Sequence, residues 1–174
     1  GTLMNCKLLS GSITRSSGLV NSCGGAEIIN CEVESGVKIG LDENGVVVGK
    51  GDLGSIVGMG AFILTGCKSG ADIYSLGNYV GGLAGYNGYA MRACSIKNSQ
   101  FTGSIYANGE YIGGILGSGY NDHTAPNTCC AVIENCYVNA EISGARAVGG
   151  IFGGEGGCDQ AWDNGIGYIR NNVF

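Results

Sequence analysis

The chain has 174 residues, of which 35 are glycine and one is proline, and its 9 basic against 14 acidic side chains leave a net charge of −5. A pI near 4.7 with only 13% charged residues excludes the basic stripe that a nucleic-acid binder presents. No apolar run reaches the roughly eighteen residues that a membrane-inserted segment requires.

The chain opens on Gly1-Thr2 with no leader sequence, as a secreted precursor would after processing. A phrase of an aliphatic residue, then Asn, then Cys follows at once in Leu3, Asn5 and Cys6, and it returns in Ile28, Asn30 and Cys31. Between them Gly18-Leu19-Val20 reads as a degenerate copy of a second, glycine-rich phrase. Asp42-Glu43-Asn44-Gly45-Val46-Val47-Val48-Gly49 reads as an inserted hairpin turning at Asn-Gly. The glycine phrase then appears as Leu53-Gly54-Ser55-Ile56-Val57-Gly58, and the anchor phrase returns as Leu64, Gly66 and Cys67. Later copies of the glycine phrase are Val80-Gly81-Gly82-Leu83-Ala84-Gly85, Ile112-Gly113-Gly114-Ile115-Leu116-Gly117 and Val148-Gly149-Gly150-Ile151-Phe152-Gly153. They alternate with anchors at Ser99, Cys136 and Asn172, each preceded three places earlier by Ile96, Ile133 or Ile169. Successive anchors are 25, 36, 32, 37 and 36 residues apart.

Periods of this length signal a solenoid, a propeller or a helical array. After the anchor, Cys136, Val138, Ala140 and Ile142 alternate with Tyr137, Asn139 and Glu141, the period of a strand buried on one face. No segment carries a helical period, and two reliable strands per copy are too few for a propeller blade. The pattern therefore predicts an all-β chain: a parallel β-helix, or β-solenoid, of about five to six coils with irregular loops and no substantial helix. Residues 1–174 are expected to form one repeat domain, its coils anchored at Cys6, Cys31, Cys67, Ser99, Cys136 and Asn172. Coils stacked about 4.8 Å apart convert repeated positions into columns. A column of Asn suits a corner, because Asn tolerates the left-handed backbone region and bonds to nearby backbone. Val80 and Leu83 cannot both point inward under strict alternation, so a bulge at the paired glycines is expected. The competing possibility is an exposed stripe of Ile56, Leu83, Ile115 and Ile151 that needs a partner.

Of the nine cysteines, those at the anchor are expected to be buried and reduced, because the same column accepts Ser99 and Asn172. Cys23, Cys94, Cys129, Cys130 and Cys158 are assigned to links between coils, where an oxidising setting would pair some of them. There is no CxxC pair, and His123 is the single histidine, so neither a metal site nor a cofactor is predicted. Nor is there a nucleophile with credible supports, so no catalytic residue is assigned. The outward acids Glu32, Glu34, Asp72, Glu110 and Glu141 read as solvated surface charge, Ser104 separating the equivalent Asp72 and Glu141.

Sequence variation concentrates in the links after each glycine phrase. Stacking would bring together Tyr86, Asn87 and Tyr89 from one link, Tyr120, Asn121 and Asp122 from the next, and Asp159, Trp162 and Asp163 from the third. Such an aromatic and amide-rich set is the candidate ligand-binding patch, for a host glycan or protein. The alternative is that the aromatics fold back over the coil edge.

The anchor phrase followed by Val-Gly-Gly-Leu-x-Gly resembles the GLUG motif, a bacterial repeat of secreted and cell-surface proteins, across essentially the whole chain. The resemblance implies a non-enzymatic structural or adhesive module located outside the cell. It equally implies, as an alternative, the non-catalytic repeat region of a larger secreted protease of the immunoglobulin-A-specific kind. The HExxH motif of those proteases is absent, since His123 is followed by Thr124-Ala125. A polysaccharide-active β-helix is the third reading.

Overall fold

The computed structural model describes residues 1–88, 94–119, 131–154 and 168–174. Every named strand pairs in parallel with its equivalent in the neighbouring coil, so the chain winds as a β-solenoid with four sheets around its axis. No helix occurs among the described residues.

One circuit begins on a long sheet whose strands include Thr2–Met4, Val20–Ile29, Val57–Thr65, Ser95–Lys97, Val132–Glu134 and Tyr168–Arg170. The chain then turns at the Asn column into an anchor sheet of Lys7–Leu8, Glu32–Val33, Lys68–Ser69, Gln100–Phe101 and Tyr137–Val138. A second bend leads to a third sheet of Ser12–Ile13, Lys38–Ile39, Asp72–Ser75, Ser104–Ala107 and Glu141–Ser143. The circuit closes through a glycine sheet of Leu53–Gly54, Val80–Gly81, Glu110–Gly113 and Arg146–Gly149, which returns to the long sheet.

Two sequence expectations need revision. The solenoid makes about four full turns rather than five to six, because only 4 strands complete the glycine sheet. In the first coil Gly18, Leu19 and Val20 lie along Gly54, Ser55 and Ile56 through backbone bonds of 2.8–3.3 Å without forming a strand of that sheet. The alternating run after the anchor is also two strands, not one. It bends between the anchor and third sheets at a column of small residues that includes Ala71, where a Cβ on Gly103 would lie 1.8 Å from the Ala71 carbonyl.

The columns explain the repeated residues. Ile28, Leu64, Ile96 and Ile133 are fully buried one above another, and Phe101, Ile105 and Ile112 belong to the same buried core. Each such side chain contributes roughly 1.5–3 kcal/mol through burial, so a coil depends on neighbours to cover both its faces. The Asn column adopts the expected left-handed backbone, with φ of 51–55° at Asn5, Asn30, Asn98, Asn135 and Asn171 and 66° at Gly66. Up to Asn135 their amide N–H groups donate to the next coil, as in Asn30 to Thr65 at 2.9 Å, and Asn135 donates from its side chain to Asn98 at 3.2 Å.

The cysteines of the described residues, Cys6, Cys23, Cys31, Cys67, Cys94 and Cys136, are all free thiols. Cys23 is not in a link, while Cys94 is the residue at which a link ends. The first lies within the strand Val20–Ile29 and the second is fully buried at the start of Ser95–Lys97. Cys129, Cys130 and Cys158 lie outside the described residues. Where the anchor is polar it bonds across coils: Ser99 Oγ accepts from the Cys67 N–H at 3.0 Å, and Asn172 Oδ1 accepts from the Cys136 N–H at 2.8 Å.

Burial pushes the Cys67 and Cys136 thiols up from the ordinary thiol range. A raised pKa means that the folded chain keeps a proton the unfolded chain releases. The associated stability is therefore fully present below the ordinary thiol range and is lost as pH climbs through the folded values. Urea unfolding is expected to show lower stability at about pH 10 than at about pH 7. Site-resolved mass spectrometry after brief exposure to a thiol reagent is expected to find both residues unmodified in the native chain; their rapid labelling would contradict the burial assigned to the column.

Candidate functional site

The glycine phrase builds a corner between the glycine sheet and the long sheet. Its backbone shares acceptors: the Leu83 and Ala84 N–H groups both donate to the Ile115 carbonyl at 3.1 and 3.0 Å, and those of Ile56 and Val57 both donate to the Leu83 carbonyl at 3.0 Å. Two successive donors on one acceptor are the signature of a bulge. It re-aims the side chains so that Val80 and Leu83 are both fully buried. The expected bulge is thus a corner between two sheets. Ile56, Leu83 and Ile115 are fully buried and Ile151 is half-buried, which removes the exposed-stripe alternative.

Around Gly81 and Gly82 the coil leaves no space for a side chain. A Cβ on Gly81 would lie 1.8 Å from the Ala84 carbonyl, and one on Gly82 would lie 2.1 Å from the Gly114 carbonyl and 2.4 Å from the Phe101 ring. Ser55 replaces the second glycine in the second coil, and its hydroxyl donates to the Gly82 carbonyl.

Beyond this corner the long sheet differs between coils. In Val20–Ile29 and Val57–Thr65 the strand crosses the whole sheet, with a register shift between Gly24 and Ala26. In the later coils it is interrupted near the same height. Ala84–Asn87 and Leu116–Gly119 pair with each other, Asn87 opposite Gly119, and the strands resume as Ser95–Lys97, Val132–Glu134 and Tyr168–Arg170 in continuous register. The first two links expected to carry recognition therefore leave from adjacent positions within this sheet, after Asn87 and Gly119, rather than from the corner itself, and the chain rejoins the sheet in register at Ser95, Val132 and Tyr168.

Of the nine candidate residues, Tyr86 and Asn87 are described; Tyr89, Tyr120, Asn121, Asp122, Asp159, Trp162 and Asp163 lie outside the described residues. Tyr86 stacks on Tyr79 at 4.8 Å and 27°, and Tyr79 stacks on Tyr111 at 5.4 Å and 13°. Stacking turns these ring faces toward one another and so occupies faces that a sugar would otherwise cover. Tyr79 and Tyr111 were not singled out from sequence. They occupy a second left-handed column, with φ of 61° and 62°, between Asp52 at 49° and Ala147 at 51°. A bulky residue in that region is strained by about 1–3 kcal/mol, so the fold, not local preference, sets this corner. Asn87 is fully buried at the root of the first link, and neither its Oδ1 nor its Nδ2 has a hydrogen-bond partner among the described residues.

Four of the five outward acids are occupied by neighbours. Glu32 and Glu34 pair with Lys7, Glu110 with Arg146, and Glu141 accepts from the Tyr106 hydroxyl at 3.1 Å. Asp72 and Glu141 flank Ser104 in one register column, as their spacing predicted. Glu134 sits between Lys97 at 3.2 Å and Arg170 at 2.7 Å, and the Arg170 hydrogen bond, with Lys97 beside it, holds its carboxyl below the usual range. Among the described residues no cluster of three or more His, Cys, Asp or Glu could hold a metal ion.

Stacked parallel coils with columns of repeated residues define a β-solenoid repeat module. Residues 77–106, from just before one glycine corner through the next anchor, match the family model of the GLUG motif, which supports a GLUG-motif repeat protein. Neither the curated proteins nor the solved structures include a match.

Proposed function

We propose that this chain is a non-enzymatic structural and adhesive module of a secreted or cell-surface protein, a stiff spacer whose links engage a host glycan or protein. The observation that carries this reading is the position of the three links. After each of them the chain rejoins the same sheet at neighbouring rungs, while the columns around them hold one pattern. A scaffold kept uniform except along one line of loops is arranged for presentation, because function concentrates in loops positioned by a rigid frame. The GLUG match supports the scaffold half of the reading. The stacked Tyr79, Tyr86 and Tyr111 support the base of the first link, and the link aromatics Tyr120 and Trp162 supply the recognition surface.

A glycan array and a host-cell binding assay test this directly. Binding by the wild-type chain is expected to be lost in the double variant Tyr120→Ala/Trp162→Ala while circular dichroism stays unchanged. Binding that survives both substitutions would remove the links as the recognition surface.

A further inference from the structure

A second recognition feature lies at a different corner, between the third sheet and the glycine sheet. There the loops of three successive coils meet. Arg15 follows Ser12–Ile13, the inserted hairpin follows Lys38–Ile39, and Leu76 follows Asp72–Ser75. The hairpin forms as the sequence predicts. Leu41 bridges Val47, Gly45 turns with φ of 76°, and the Asp42 carboxylate accepts from the Asn44 and Val46 N–H groups at 2.9 and 2.8 Å. Its returning arm, with Arg15 and Leu76, encloses an open groove of about 470 Å³ lined by Arg15, Val47, Val48, Lys50 and Leu76.

The lining has two chemical halves. Val47, Val48 and Leu76 are aliphatic, and Leu76 is 48% exposed. Arg15 and Lys50 are both exposed. Lys7, Lys97, Arg146 and Arg170 each meet a carboxylate within 4.0 Å, whereas neither groove cation has one among the described residues. Lys38 and Lys68 also lack such a pair, but they project from strands rather than into a cavity. Of the hairpin's two acids, Asp42 is committed to its turn, and Glu43 is exposed and makes no ion pair with Arg15 or Lys50. The groove therefore presents two uncompensated positive charges beside a small aliphatic wall.

We infer that this groove binds the carboxyl terminus of a peptide chain ending in an aliphatic residue. The guanidinium of Arg15 and the ammonium of Lys50 take the carboxylate, as charge-assisted donors do most effectively. Val47, Val48 and Leu76 receive the terminal side chain, and the open mouth lets the rest of the peptide run outward. Two cations and three aliphatic side chains match one residue of ligand, not a long acyl chain.

Isothermal titration of the full chain with a pentapeptide ending in leucine tests the assignment. The free-acid peptide is expected to bind, and its C-terminal amide to bind about tenfold more weakly or worse, since hydrogen bonds to charged groups are lost. Arg15→Gln and Lys50→Gln together are expected to abolish the difference between acid and amide, and Leu76→Ser to weaken both. All three positions are exposed or half-exposed, and circular dichroism checks that the fold is kept. The inference is overturned if the acid peptide fails to bind at millimolar concentration, if acid and amide bind alike, or if the double variant binds as the wild type does. Equal binding of free 4-methylpentanoate would overturn the peptide assignment as well.

Discussion

Gly81→Ala is expected to destabilise the chain by at least about 3 kcal/mol, the range of severe overpacking against backbone. The added methyl would lie 1.8 Å from the Ala84 carbonyl and 2.7 Å from the Gly117 amide nitrogen. The Ala84 carbonyl belongs to the same corner and the Gly117 amide to the next coil, so relieving one contact presses on the other. The corner also carries the shared acceptors at Leu83 and Ile115, so distorting it unpairs donors in two coils. Gly24 is the control: nothing lies within 4 Å of a Cβ built there. Gly24→Ala is expected to change stability by no more than about 0.5 kcal/mol, as surface substitutions do. Urea titrations of the two variants beside the wild type separate these outcomes; equal losses would show that crowding at the glycine phrase is not what conserves the corner's shape.

Phe101→Ala is expected to cost about 3–5 kcal/mol, the range for emptying a buried aromatic site. The ring is fully buried in the middle of the stack and lies against Gly82, where an added Cβ would meet it at 2.4 Å. Because coils contact only their neighbours, a cavity in a central coil weakens the coupling between the two ends. Hydrogen exchange is expected to lose protection first in Gln100–Phe101, Ser104–Ala107 and the adjoining strands Lys68–Ser69 and Tyr137–Val138. Uniform loss across every coil would instead indicate a single cooperative unit.

Much of this architecture was legible in the sequence because columns write themselves as repeats. Asn5, Asn30, Asn98, Asn135 and Asn171 announced a left-handed corner through one residue type, and that corner is present at each of them. The second left-handed corner was not legible. Its column is Asp52, Tyr79, Tyr111 and Ala147, four residues with no shared local preference. Here close backbone packing dictates φ, as a Cβ on Gly117 would meet the Tyr79 carbonyl carbon at 2.7 Å. The bend at Gly103 was missed for a related reason: inward side chains alternate across it, so the pattern reads as one strand though the sheet changes. The link residues Tyr86 and Asn87 were found by variation against the repeat, and the structure brings Tyr86 onto Tyr79 rather than leaving its face open. The groove at Arg15, Lys50 and Leu76 escaped sequence reasoning because its residues come from three coils and no copy contains the set.

The stacked parallel register is the central claim, and one distance tests it. Ser12, Lys38, Asp72, Ser104 and Glu141 occupy successive rungs of the third sheet in direct register. Ser12 and Glu141 are both exposed and accept spin labels without disturbing the core. Four rungs of about 4.8 Å place their backbones about 19 Å apart. Pulsed electron paramagnetic resonance on the doubly labelled chain is expected to give one narrow distribution centred near that value, broadened only by the label arms. A distribution centred beyond about 35 Å, or one spread across the range of a flexible chain, would contradict a continuous stack of coils between them.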